Sequence, residues 1–113
     1  AHNPDGIRAL LSSIPEGEVE FYFAASRGKD IRGMCEQLLS RGKVYYLDTS
    51  HQRLLGEGEF RATYPELSRR VYGFLPLSEL NLENKREGMV ICGSIFLVDL
   101  ARSHLLSIME QDQ

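Results

Sequence analysis

No apolar run in this chain reaches the roughly eighteen residues that a membrane-spanning helix needs. No signal-peptide pattern is present either, so no membrane partner is expected. Basic residues form neither a stripe nor a tail. The 13 lysines and arginines are interspersed with 16 acids, for a net charge of -3. That balance argues against nucleic acid as a partner and requires any anion site to be local. Cysteine is scarce. Cys35 and Cys92 each sit among apolar residues, which predicts buried free thiols in a reducing, cytoplasmic compartment and no metal pair. The phosphate loop G-x-x-x-x-G-K-[ST] and the nucleophile elbow G-x-S-x-G are both missing, which excludes a self-sufficient P-loop ATPase and a hydrolase of that type. Repeats and low-complexity segments are absent too.

What is present suits one domain. A chain of 113 residues, 42% of them apolar, can bury one ordinary core without disulfides. Ile7, Leu10, Leu11 and Ile14 recur at helical spacing, and Pro15-Glu16-Gly17 ends that helix. Val19 to Ala24 reads as a strand. Ile31, Met34, Cys35, Leu38 and Leu39 form a second helical stripe, closed by Arg41 and Gly42. Val44 to Leu47 is the next strand, followed by a polar loop from Asp48 to Gly58. A helix is expected from Glu59 to Arg70, with Pro65 arguing for a break or a late start. Val71 to Leu75 suggests a short strand, and Pro76 to Lys85 a loop with one helical turn from Leu77. Met89 to Cys92 is a buried strand, Gly93-Ser94 a turn, and Ile95 to Met109 a terminal helix.

Strands that alternate with helices predict an α/β fold. The expectation is a Rossmann-like three-layer sandwich with a mostly parallel sheet and right-handed crossovers. The polar opening Ala1-His2-Asn3-Pro4-Asp5-Gly6 is a turn of the kind that follows a strand. We therefore expect residues 1–113 to be a single domain from the C-terminal part of a larger protein, with one strand upstream.

In such a sheet, function collects past the strand C-termini. Four polar groups fall there: His2/Asn3/Asp5, Ser26/Arg27/Lys29/Asp30, Asp48/Thr49/Ser50/His51/Arg53 and Gly93/Ser94. An imidazole and an amide at His2 and Asn3 suit hydrogen bonds to phosphate or ribose, and they equally suit a capping turn before Pro4. Asp30 can cap the second helix, leaving backbone N–H groups and Lys29 as an anion site, or the segment is a solvated charged turn. Ser94 can receive a carboxylate or phosphate at the start of the last helix, or can simply cap it. His51 and Arg53 lie on a loop where either can be a plain surface residue. His104 reads as a packing or surface residue, and the tyrosines as strand and core residues.

Three segments carry a resemblance. Ala1-His2-Asn3-Pro4-Asp5-Gly6 is similar to a D-G-A-H-N-P box. Phe23-Ala24-Ala25-Ser26-Arg27-Gly28-Lys29-Asp30-Ile31-Arg32-Gly33-Met34 resembles F-G-x-x-x-D-K-D-x-x-G-M. Val90-Ile91-Cys92-Gly93-Ser94-Ile95-Phe96-Leu97-Val98 resembles V-x-x-T-G-S-L-Y-L-V, and Arg53-Leu54-Leu55 resembles an R-A-L loop element. In this order they look like the C-terminal domain of folylpolyglutamate synthase/dihydrofolate synthase, a branch of the Mur ligase superfamily. The sequence departs from that pattern at Ala24, Gly28 and Cys92, where the family favours glycine, an acid and threonine.

The resemblance implies an ATP-dependent amide ligase of folate biosynthesis that joins glutamate to dihydropteroate or a folate through an acyl phosphate. It implies ATP and Mg2+ as cofactors, held mainly by a central ATPase domain of the same polypeptide, in a monomer. Carried over residue by residue, His2 and Asn3 would face the nucleotide. Lys29 would be the catalytic lysine near the incoming amino acid, and Ser94 would help to recognise that amino acid. A cell-wall Mur ligase and a non-catalytic binding domain are the alternatives.

Without a phosphate loop, the 113-residue chain by itself is expected to release no ADP in a glutamate- and folate-dependent assay. Robust turnover by the pure chain would overturn this expectation.

Overall fold

The computed structural model describes residues 3–80, 89–93, 101–102 and 104–106. The order is α1 (Pro4–Ser13), β1 (Glu20–Ala24), α2 (Ile31–Arg41), β2 (Lys43–Asp48), α3 (Glu57–Thr63), α4 (Pro65–Arg70), β3 (Gly73–Pro76), a 3-10 turn (Leu77–Glu79) and β4 (Met89–Gly93). Residues 101–102 and 104–106 are helical. The four strands form one sheet in the order β3-β2-β1-β4, and every pair is parallel. The expected α/β architecture is therefore present.

Register explains the core. Phe21 and Phe23 lie beside Val44 and Tyr46 on one side and beside Val90 and Cys92 on the other. Tyr46 in turn lies beside Phe74. Neighbours in register share a face, so these residues build one apolar surface. Phe21, Phe23, Val44 and Tyr46 are fully buried. Helix α2 covers that surface with Ile31, Met34, Cys35 and Leu38, the i, i+3, i+4, i+7 stripe of an amphipathic helix. Helix α3 adds Phe60, whose ring stacks on Tyr46 at 4.2 Å and meets Phe74 edge-on at 6.0 Å. Each large apolar side chain buried this way contributes about 1.5–3 kcal/mol.

Helix α1 packs on α2, and Gln37 of α2 donates its side-chain N–H to the Pro4 carbonyl at 3.0 Å. The helices α1 to α4 thus lie on one face. The chain moves from β1 to β2 to β3 in one direction, then crosses back to place β4 on the far side of β1.

Several boundaries differ from the sequence expectation. The helix expected from Glu59 to Arg70 is broken at Pro65, as that proline predicts, so that two helices stand in its place. Pro65 occupies the first position of α4, where its missing N–H costs nothing, and Tyr64 between the helices leaves the helical region with φ -127° and ψ 64°. Helix α3 begins two residues early, because the Asp48 carboxylate accepts the Glu57 N–H at 2.8 Å. The third strand starts at Gly73 rather than Val71. Val71 instead caps α4 with its N–H on the Leu67 carbonyl, and the Tyr72 N–H reaches the Val44 carbonyl at 2.7 Å. Ile14 is the cap of α1 and not its last turn.

At the end of β4, Gly93 has φ +115°, and a Cβ there would sit 2.8 Å from the Phe23 ring. Both backbone and packing demand glycine. No helix among the described residues is long and apolar enough to cross a membrane.

Both cysteines are buried free thiols, as the sequence predicts. Burial pushes Cys35 and Cys92 up to about 12, so neither forms a thiolate near neutrality. Iodoacetamide at pH 8 should therefore label neither thiol in the native chain and both after denaturation. Rapid native labelling would contradict this core.

Candidate functional site

The order β3-β2-β1-β4 makes β1 the strand from which the chain proceeds to one side while β4 lies on the other. Such a switch point opens a crevice at the strand C-termini, where α/β sheets bind ligands. Ala24 and Gly93 are in register, so the ends of β1 and β4 are level. The segment leaving β1, Ala25 to Asp30, lies at this edge.

Local chemistry shapes that segment. Ser26 to Lys29 closes a turn in which the Lys29 N–H donates to the Ser26 carbonyl at 3.4 Å. Gly28, third in the turn, has φ +80°, as a type II turn requires. Asp30 then caps α2 by accepting the Gly33 N–H at 2.9 Å. A Cβ on residue 33 would lie 2.5 Å from the Asp30 carboxylate, so Gly33 makes room for the cap. Lys29 is exposed on this turn, with its backbone carbonyl holding the Ile31 N–H at 2.9 Å.

Arg27 has a different task. Its guanidinium makes a two-pronged ion pair with Glu59 of α3, its Nε–H donates to the Gln52 carbonyl at 2.9 Å, and its backbone N–H donates to the Arg53 carbonyl at 2.9 Å. The Leu55 N–H donates to the Ala25 carbonyl at 3.0 Å, and Ser26 bridges Leu54. These bonds stitch the loop after β1 to the loop after β2. Arg27 is thus a clasp between loops, leaving Lys29 as the cation of the turn.

Asn3 takes the capping role. Its side-chain oxygen accepts the Gly6 N–H at 2.7 Å, and its backbone is extended with Pro4 at the first helical position. Pro4 is tied to Gln37, which lies about 9 Å along the α2 axis from Ile31 at 1.5 Å per residue. The geometry thus does not bring Asn3 directly against the Lys29 turn. His2 and Ser94 lie outside the described residues.

In the loop after β2, Asp48 caps α3, and the His51 ring nitrogen Nδ1 accepts the Arg53 N–H at 3.1 Å. The buried Leu54 and Leu55 that follow Arg53 anchor the loop. Tyr46 fixes it from below, since its hydroxyl donates to the Leu55 carbonyl. Burial raises the Tyr46 phenol well above its ordinary value, with the Ala25 backbone amide opposing, so this hydroxyl stays a donor. Three contributors carry no sequence signal of their own: Glu59, which meets Arg27 across 32 residues, the Tyr46 hydroxyl, and His104, whose Nε2 lies 2.7 Å from the Leu80 carbonyl. Among the described residues, no group of three or more His, Cys, Asp or Glu is arranged to hold a metal ion.

Compared with known protein families, with curated proteins and with solved structures, the chain finds no match.

The Arg27 hydrogen bond holds the Glu59 carboxyl below the usual glutamate range. A depressed carboxyl contributes stability above its unfolded value and loses it as pH falls through the folded one. A carboxyl-detected NMR titration should find Glu59 below ordinary glutamate, and Arg27→Gln should return it to the ordinary range. An unchanged Glu59 midpoint in that variant would break the clasp assignment.

Proposed function

We propose that this chain is the cleft-closing C-terminal domain of an ATP-dependent amide ligase that adds glutamate to dihydropteroate or a folate. The observation that carries the reading is the turn after β1. An exposed Lys29 follows a left-handed glycine, precedes a capping aspartate, and lies in the segment that leaves β1 after Ala24, the partner of Gly93 in register. The segment from Phe23 to Met34 that resembles the ligase motif is the same segment that builds this turn.

In this reading ATP, held with Mg2+ by a central ATPase domain, supplies the phosphoryl group that activates the acceptor carboxylate. The described residues offer no metal-ligand set, so the part assigned to this chain is electrostatic and positional. The Lys29 ammonium binds the incoming amino acid's carboxylate and balances the negative charge that develops as its amine attacks the activated carbonyl. Such a preorganised charge acts most strongly when closure excludes water. His2 and Asn3 approach the nucleotide from the closing side, and Ser94 helps to orient the amino acid. Asp30 and Gly33 act through Lys29 by fixing the turn.

The test is ADP release by the full polypeptide that carries this domain, with glutamate and either dihydropteroate or reduced folates. Release that requires both substrates supports the reading. Release only with cell-wall precursors moves the chain to another Mur ligase, and no release with any of them rejects ligase chemistry. Within the active polypeptide, Lys29→Ala should lower turnover by about 100-fold or more and stability by about 0.5 kcal/mol or less, as expected of an exposed side chain. Normal turnover, or a variant that fails to fold, would reject the role of Lys29.

A further inference from the structure

A cleft lies along the same edge of the sheet, away from the switch point. It opens between the ends of β2 and β3, has a volume of about 500 Å³, and is lined by Asp48, Thr49, Ser50, His51, Pro76, Leu77, Ser78 and His104. That volume falls within the range of about 300–1,000 Å³ typical of small-molecule sites. The loop after β2 separates this cleft from the Lys29 turn because its two ends do different things. Residues 52–55 are bonded to the loop after β1, whereas residues 48–51 line the cleft.

The chemistry of the lining selects a ligand class. Thr49, Ser50 and Ser78 bring hydroxyls, each of which both donates and accepts. The Thr49 oxygen already accepts the His51 N–H at 3.3 Å, which leaves its O–H as a donor. Asp48 spends one carboxylate lone pair on the Glu57 N–H, and a carboxylate has about four. His104 engages the Leu80 carbonyl through Nε2, so a neutral ring keeps Nδ1 as an acceptor. Pro76 and Leu77 supply an apolar wall.

Among the described lining residues there is no lysine or arginine to balance an anion that would meet the Asp48 carboxylate. There is also no three-ligand group for a metal ion. Mixed donors and acceptors around one carboxylate, beside an apolar wall, match a ring with vicinal hydroxyls on its rim and C–H groups on its face. A carboxylate that accepts from a sugar diol is an established recognition device.

We propose that the cleft between β2 and β3 binds a neutral polyhydroxylated ring, a pyranose or a furanose. Asp48 accepts from adjacent ring hydroxyls, Thr49, Ser50 and Ser78 complete the polar rim, and Pro76 and Leu77 meet the C–H face. This assignment does not depend on the ligase reading, because Lys29 takes no part in it.

The test is a titration of the 15N-labelled 113-residue chain with methyl β-D-glucopyranoside and methyl β-D-ribofuranoside, with sodium acetate and inorganic phosphate as anion arms. The expected result is saturable amide shifts confined to residues 48–51, 77–78 and 104 with at least one glycoside, together with saturation transfer to its ring C–H protons. The glycoside that binds identifies the ring size. Asp48→Asn keeps an oxygen to cap α3 and removes the charge, so it should weaken that binding by about tenfold or more. Ser78→Ala, on an exposed residue, keeps the fold and should weaken binding severalfold. Shifts at these residues only with acetate or phosphate, glycoside shifts elsewhere on the molecule, or no shift with any ligand would each overturn the proposal. Undiminished glycoside binding by Ser78→Ala and Asp48→Asn would do so as well.

Discussion

The hydroxyl of Tyr46 is the point on which the functional edge of this protein depends. The side chain rises from the middle of β2 into the core, where its ring is stacked on Phe60 and meets Phe23 and Phe74. A phenol so deeply buried must find a partner, because an orphaned hydroxyl in that environment is costly. The Leu55 carbonyl is that partner. One residue therefore joins the apolar core to the loop after β2, and through the Leu55 N–H on the Ala25 carbonyl it also reaches the loop after β1. The loops along this edge inherit their positions from a hydrogen bond inside the core.

The cleft between β2 and β3 and the Lys29 turn both follow from this arrangement. Main-chain bonds from Ala25 and Arg27, and the Arg27–Glu59 ion pair, draw the two loops together on the side of the switch point. The far side of the loop after β2 faces the end of β3. The edge then presents a lysine beside a capped helix on one side, and a carboxylate among hydroxyls in the cleft on the other. Their opposite chemistries come from the same loop pair, held at its centre by backbone groups.

Much of this was legible in the sequence, for physical reasons that can be named. The stripe Ile31, Met34, Cys35, Leu38 has helical period, and the structure buries each of those four residues. The alternation Phe21, Phe23 predicts a strand with one face in the core. Asp30 before the second helix is a cap from its residue type alone. Boundaries set by distant partners were not legible. Helix α3 starts where the Asp48 carboxylate reaches it, nine residues away in sequence. The third strand begins late because Val71 completes α4 before the chain can pair with β2. Arg27 looked like half of a cationic turn, and only the fold brings Glu59 to it across 32 residues. Asn3 suits a ligand contact or a cap, and its side-chain oxygen accepts the Gly6 amide. Local signals specify local structure, while roles assigned by tertiary contacts need the fold.

The bonds that secure the loop after β2 to its neighbour run mostly through backbone atoms: Leu55 to Ala25, and Arg27 to the carbonyls of Gln52 and Arg53. Backbone partners are indifferent to the side chains that precede them. Ser50 can therefore change identity without loosening the loop, whereas Thr49 and His51 each hold a loop N–H with a side-chain atom. A fold wired in this way has a frame that tolerates drift only at the loop side chains that hold no backbone group, so its edge can vary at few positions without shifting the rest.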